Sequence, residues 1–157
     1  MSKITLMIYY PYEEFKQDTL KLIDKLKASR YDAIIAISRG GFTLAHAVSQ
    51  ALGIKDVRSI RSSLYDGKNR LECVEIFGSC ELEDQIQNAL VVDDISDSGE
   101  TLEAVMAHLI SSYPHTTFES CTIFYKNTSK YRPTYFVHES SEWIEFYWEV
   151  DFKVGSV

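Results

Sequence analysis

Two continuous apolar runs, Ala33-Ile34-Ile35-Ala36-Ile37 and Ala89-Leu90-Val91-Val92, constrain this chain more than any other feature. A strand with one wet face alternates apolar and polar residues, so an unbroken run marks a strand covered on both faces. Each run breaks at a glycine-bearing turn: Ser38-Arg39-Gly40-Gly41 after the first, and Asp93-Asp94-Ile95-Ser96-Asp97-Ser98-Gly99-Glu100-Thr101 after the second. A helical pattern follows each turn. Phe42 to Leu52 closes on Gly53 as a C-terminal cap, and Leu102, Val105, Met106 and Leu109 form a stripe that stops before Pro114. Strand, turn and helix, twice over, predict an α/β fold with a largely parallel sheet flanked by helices.

The remaining segments fit around that sheet. Phe15, Leu22, Ile23 and Leu26 recur at helical spacing after Pro11 and predict an amphipathic helix ending near Ser29. Arg58 to Phe77 reads as two extended segments about the turn Tyr65-Asp66-Gly67-Lys68-Asn69. Thr122-Ile123-Phe124-Tyr125 and Tyr135-Phe136-Val137 are predicted strands, and Trp143 to Phe152 is an aromatic and acidic tail. With 157 residues and no repeat or low-complexity stretch, one domain spanning 1–157 is expected.

Charge narrows the partners. Sixteen Lys and Arg against 23 Asp and Glu leave a net charge of −7, which lacks the basic footprint of nucleic-acid binding. A local cationic pocket for a small polyphosphate is compatible with it. Cys73, Cys80 and Cys121 match no metal-ligand spacing and read as free thiols. Ile4 to Tyr10 is too short for a secretion signal, and no apolar run reaches membrane-spanning length. A cytoplasmic protein without a membrane span is expected.

The stretch Asp93 to Thr101 carries the most chemistry. In an open parallel sheet ligands bind beyond the carboxyl ends of the strands, where this loop lies. Gly99 with the Ser98 and Thr101 hydroxyls at a helix start suits a phosphate, through free N–H groups and the helix dipole. Asp93 and Asp94 repel phosphate, so they point instead to sugar hydroxyls or to a Mg²⁺ carried by the ligand. An acidic cap on a strand-to-helix turn is the plainer reading, yet it leaves four carboxylates and three hydroxyls in nine residues without a purpose. A calcium loop is excluded, because its twelfth position would be Ala104 rather than Glu.

Ser38-Arg39-Gly40-Gly41 is a second anion-binding candidate. Its glycines admit close approach of the backbone, and Arg39 can fork onto phosphate oxygens. A nucleophilic Ser38 would need G-x-S-x-G, and Ala36 stands at the first glycine position.

VVDDISDSGET resembles the phosphoribosyl-pyrophosphate (PRPP) motif of type I phosphoribosyltransferases, and ISRGG resembles the pyrophosphate loop of that family. Thr122-Ile123-Phe124-Tyr125-Lys126 and Trp143-Ile144-Glu145 are similar to the base-binding elements of its bacterial xanthine-guanine branch. Ser62 to Arg70 is similar to the loop that closes over the active site there, through Ser62, Ser63, Tyr65, Lys68 and Arg70. The resemblance runs from about Tyr31 to Phe152. It implies the type I phosphoribosyltransferase fold, with a core of about 12–126 and a small hood drawn largely from 127–152.

The same resemblance implies a site. Asp93 and Asp94 would hold the ribose hydroxyls, with Asp94 also near Mg²⁺ through water. Arg39 with the Gly40 and Gly41 amides would take pyrophosphate, in a loop with Ser38 that contains a strained or cis peptide. Asp97 would face N7 of a purine, Ser98, Gly99, Glu100 and Thr101 would cradle the 5′-phosphate, and Ser96 and Asp97 would also belong to the PRPP site. Lys126 would donate to O6, Trp143 would stack on the base, and Ile144 would read the C2 side through its main chain. Taken alone, Lys126 reads first as a solvated lysine, Trp143 also as a core residue and Asp97 also as a helix cap. Glu100 and Asn127 depart from enterobacterial relatives, which carry Gly and Pro there. The implied activity is Mg²⁺-dependent purine salvage by a homodimer or homotetramer: a 6-oxopurine and PRPP give a nucleoside monophosphate and pyrophosphate, with Asp97 and Arg39 catalytic. A phosphoribosyltransferase for another base and a non-catalytic PRPP or nucleotide sensor are the rival readings.

Overall fold

In the computed structural model, which describes residues 6–66, 69–77 and 80–155, the chain begins with β1 (Met7–Tyr10), α1 (Tyr12–Leu26), β2 (Ala33–Ser38), α2 (Phe42–Leu52), β3 (Val57–Asp66), β4 (Asn69–Phe77) and β5 (Asn88–Val92). It continues through β6 (Ile95–Ser96), α3 (Glu100–Ser112), β7 (Thr117–Cys121), β8 (Phe124–Tyr125), β9 (His138–Glu139), β10 (Trp143–Phe146) and α4 (Tyr147–Val150). The central sheet has the order β4-β3-β2-β5-β7, and β4 alone runs antiparallel to its neighbour.

The two apolar runs are the middle of this sheet, and their residues divide between two cores. Ile34, Ala36, Leu90 and Val92 pack with Phe15, Leu22 and Leu26 of α1 and Leu44 and Val48 of α2. Ala33, Ile35, Ile37, Ala89 and Val91 pack with Leu102, Val105, Met106 and Leu109 of α3. Burying each large aliphatic side chain stabilises the fold by ~1.5–3 kcal/mol, so β2 and β5 are held from both sides. Their carboxyl ends, where the two glycine turns begin, are thereby fixed.

Beyond α3 the structure corrects the predicted strands. Thr117–Cys121, not Thr122–Tyr125, joins the central sheet beside β5. As an edge strand with Thr117 exposed and Ser120 and Cys121 buried, it has no unbroken apolar run to announce it. Phe124–Tyr125 belongs to a separate parallel sheet, β6-β8-β9. Tyr135 makes an isolated bridge to Cys121, and the strand expected at 135–137 begins at His138.

The N-terminal Met7–Tyr10 pairs in parallel with Trp143–Phe146, so the small layer at the sheet's end draws on both ends of the described chain. Tyr10, 1 % exposed, meets Phe124 and Phe146 edge-on at 5.0 and 5.7 Å between centroids and locks this layer together. Among the described residues no helix is long and apolar enough to cross a membrane.

Candidate active site

β5 delivers Asp93 and Asp94 to the end of the sheet. Asp94 is 8 % exposed; its N–H donates to Asp93 Oδ1 at 2.9 Å, and Ile95 N–H donates to Asp94 Oδ1 at 2.7 Å. The Asp94 carbonyl accepts from the N–H groups of Ile123 and Phe124 at 3.0 and 3.2 Å, which ties the turn to the segment leading to Lys126. Burial raises both carboxyl groups above the usual carboxylate range. The Asp94 charge pushes Asp93 further up, while Asp94 itself is raised to about 6, with the charge of Glu149 contributing and the bond to Asp93 opposing. Such a pair is stabilised by protons, hydroxyl donors or a cation.

The glycine loop meets this pair directly. A Cβ on Gly40 would fall 2.5 Å from Asp94 Oδ2, so only glycine lets the two loops touch. Gly41 N–H donates to the Ile37 carbonyl at 2.8 Å and Phe42 N–H to the Arg39 carbonyl at 3.1 Å, which turns the chain sharply into α2. The Ser38–Arg39 peptide is cis. Arg39 and Gly40 line a cleft of about 610 Å³ with Trp143, Glu145, Trp148, Glu149, Val150 and Lys153.

Gly99, at φ +81, is the N-cap of α3 and brings no side chain to it; of the N–H groups at the helix start, that of Glu100 makes a long 3.3 Å bond to the Ser98 hydroxyl. The helix start therefore has donors to offer to a ligand. Asp97 is not the cap. Its Oδ1 lies 2.8 Å from Lys126 Nζ, and that ammonium stands 5.8 Å from the centroid of the Trp143 ring. Asp94, Ile95, Asp97, Lys126, Trp143, Ile144, Phe146 and Glu149 enclose one cavity of about 150 Å³. Trp143 and Glu149 also border the larger cleft, so the two spaces adjoin. Trp143 is half exposed, whereas Ile144 is buried. Trp143 N–H donates to the Leu6 carbonyl. The alternation of a parallel ladder then turns the N–H and C=O of Ile144 away from β1.

Ser96 is a correction. Its side chain is 1 % exposed and shares a hydrogen bond of 2.8 Å with Ser129 Oγ while donating to the Tyr131 carbonyl at 2.8 Å. It fastens the turn to residues 129–131 and presents no hydroxyl to a ligand. Ser98 and Glu100 stay at the loop, where the Ser98 hydroxyl donates to Glu100 Oε2 at 3.3 Å. Thr101 stands in the first turn of α3. Ser62 and Ser63 lie on β3 opposite Ile76 and Glu75 of β4, and Tyr65 pairs with Arg70 in the same ladder. Lys68 lies outside the described residues.

Sequence reasoning missed Glu149, Lys153 and the Ser129–Tyr131 segment. Glu149 sits in a helix of four residues, too short to show periodicity, and 129–131 is a loop whose role comes only from folding back over the turn. Among the described residues no cluster of three or more His, Cys, Asp or Glu is arranged to hold a metal ion.

Residues 11–154 match the family described as the phosphoribosyl transferase domain. Xanthine-guanine phosphoribosyltransferase of Idiomarina loihiensis is 29% identical over 145 residues, 90% of this chain and 86% of that protein. The solved Helicobacter pylori xanthine-guanine-hypoxanthine phosphoribosyltransferase is 34% identical, with a TM-score of 0.85 over 93% of this chain and 96% of that one. A purine phosphoribosyltransferase from Pyrococcus horikoshii is 26% identical, with a TM-score of 0.75 over 90% and 93% of the two chains. The chain belongs to the phosphoribosyl transferase family.

Proposed function

We propose that this phosphoribosyltransferase joins a 6-oxopurine base to PRPP, releasing pyrophosphate and a nucleoside 5′-monophosphate in purine salvage. The observation that carries the choice of base is the cavity in which Lys126 and Asp97 stand 2.8 Å apart beside Trp143. It offers an aromatic face, an ammonium donor for a carbonyl oxygen and a carboxylate acceptor for a ring N–H. Ile144 also lines it. Adenine fits badly, because an ammonium cannot accept from an amino group. A nucleic-acid-reading regulator fits badly with a net charge of −7.

In this reading the C1′–pyrophosphate bond breaks as the base nitrogen forms its bond to C1′, and positive charge develops on the ribose. Asp93 and Asp94 hold the ribose hydroxyls and offset that charge. Arg39 and the amides of Gly40 and Gly41 receive the departing pyrophosphate. Asp97 takes the proton that the base carries on its other imidazole nitrogen, N7, once Lys126 has turned to O6. Two adjacent carboxylates, Asp94 buried and Asp93 half-buried, fit a Mg²⁺ held mainly by substrate phosphates, as such ions need few protein ligands. Asp94 would reach the ion through water, and the ion when bound neutralises charge on the leaving group. Pyrophosphate release from PRPP, measured with guanine, xanthine, hypoxanthine, adenine and uracil, with and without Mg²⁺, tests the reading. Turnover confined to the oxopurines is expected; turnover with adenine or uracil alone, or with none, overturns it.

A further inference from the structure

We infer that the carboxylate of Glu100 is a built-in stand-in for the 5′-phosphate, and that Lys130 is the cation released to the phosphate when Glu100 leaves. The inference rests on the reading above and deepens it. Glu100 opens α3 at the place where the phosphate would bind. Its Oε2 accepts from the Ser98 hydroxyl at 3.3 Å, and its Oε1 lies 3.4 Å from Lys130 Nζ. One carboxylate thus engages both a hydroxyl of the anion loop and a neighbouring ammonium, as a phosphate oxygen would. A dianionic phosphate and this carboxylate repel each other, so the side chain must swing away for the ligand to enter.

Two features make the exchange easy. The contacts to Ser98 and Lys130 are both longer than the ~2.7–2.9 Å of strong charge-assisted bonds, so each of these two is weak. Lys130, for its part, is placed by the backbone and not by Glu100. Its N–H donates to the Ser98 carbonyl at 2.8 Å, and Ser129 beside it is gripped by Ser96. A Cβ on Gly99 would strike Ser129 Oγ and come 2.5 Å from Tyr131 N and 2.8 Å from Lys130 N, which shows how closely this strap lies on the loop. The Lys130 side chain is 62 % exposed and stays at the loop, able to turn to an incoming phosphate.

The test uses the Glu100→Gln and Lys130→Met variants and their double mutant, with guanosine 5′-monophosphate and guanosine as probes and melting temperature as a check on folding. Glu100→Gln should tighten the monophosphate roughly fivefold by removing a like charge. Lys130→Met should weaken it about tenfold through loss of a charge-assisted contact. Guanosine, which has no phosphate, should bind all variants equally. An unchanged or weaker monophosphate affinity in Glu100→Gln overturns the inference, as does a Lys130→Met affinity within twofold of the parent. Either variant, if folded, is enough on its own to overturn it. If the parent protein turns over PRPP while these shifts are absent, the inference fails and the proposed reaction stands. A parent that binds no nucleotide refutes both.

Discussion

Replacing Gly40 by alanine asks whether the glycine loop and the acidic loop work as one unit. The new methyl would lie 2.5 Å from Oδ2, 2.8 Å from Cγ and 2.9 Å from Oδ1 of Asp94, closer than carbon approaches a carboxylate in folded proteins. Asp94 has to give way, because the turn at Gly40 is pinned by the Gly41–Ile37 and Phe42–Arg39 hydrogen bonds. Displacing its carboxylate strains the 2.7 Å bond from Ile95 N–H and, in the proposed reaction, would take Asp94 off the ribose. A hydrogen bond to a charged group contributes ~1.5–3 kcal/mol, so the KM for PRPP should rise roughly ten- to a hundredfold, with a much smaller change for the base. Gly53→Ala supplies the control. Its φ is +68, but nothing lies within 4 Å of the added atom. Left-handed strain of ~1–2 kcal/mol should lower its melting temperature by several degrees and leave the KM for PRPP alone. Steady-state kinetics and thermal melts on both variants separate site damage from destabilisation. A folded Gly40→Ala protein with a KM for PRPP within twofold of the parent would refute the coupling.

Asp97→Asn should lower kcat by ~10²–10⁴-fold with an unchanged melting temperature, because Gly99 rather than Asp97 caps α3; normal turnover would remove Asp97 from the mechanism. Lys126→Met should raise the KM for oxopurines roughly tenfold or more while PRPP affinity holds, and equal losses of both would show that Lys126 serves another part of the site. For pH dependence, Asp94 is raised to about 6 in the folded state from ~3.9 unfolded. Its protonated form is the one folding favours, so its contribution is fully present below ~3.9 and is lost as pH rises through about 6. The gain in melting temperature of ligand-free Asp94→Asn over the parent should therefore grow between pH ~4 and ~7, and a constant gap across that range would contradict the assignment.

How much of this was legible in the sequence follows from what each segment is asked to do. β2, β5 and the turns after them were readable because burial on two faces demands unbroken apolar runs, and because a chain entering a helix at an anion site needs small and hydroxylated residues. Asp97, Lys126 and Trp143 were nameable from the resemblance, but their meeting in one cavity depends on β1 pairing with β10, and Met7–Tyr10 carries no motif. β7 was misplaced because an edge strand needs only one good neighbour and tolerates Glu119. Ser96 was assigned to the ligand by its place in the motif, whereas folding turns it inward to Ser129, which no local pattern reveals. Lys130 is invisible for the same reason: its link to Glu100 exists only once 126–131 folds back over the loop.

The electrostatics of the site would let an acidic chain take up the polyanion that the proposed reaction requires. Asp93, Asp94 and Glu149 crowd the space that a pyrophosphate and a ribose would fill, and burial of the first two makes their simultaneous ionisation unfavourable. Arg39 at the cleft, Lys126 in the smaller cavity and Lys130 on the strap lie around that acidic centre. Each carries the charge that one end of the ligand would need. Lys126 is paired with Asp97, and Lys130 with Glu100. Ligand-free, these lysines are thus partly neutralised, and a bare phosphate gains less from them than from unpaired cations. A ligand that carries its own divalent cation gains at the acidic centre, and one that also presents a carbonyl oxygen to Lys126 gains again. In the proposed reaction, selectivity for a metal-chelated sugar phosphate together with an oxopurine would follow from carboxylates that each have to be satisfied, rather than from a surplus of positive charge.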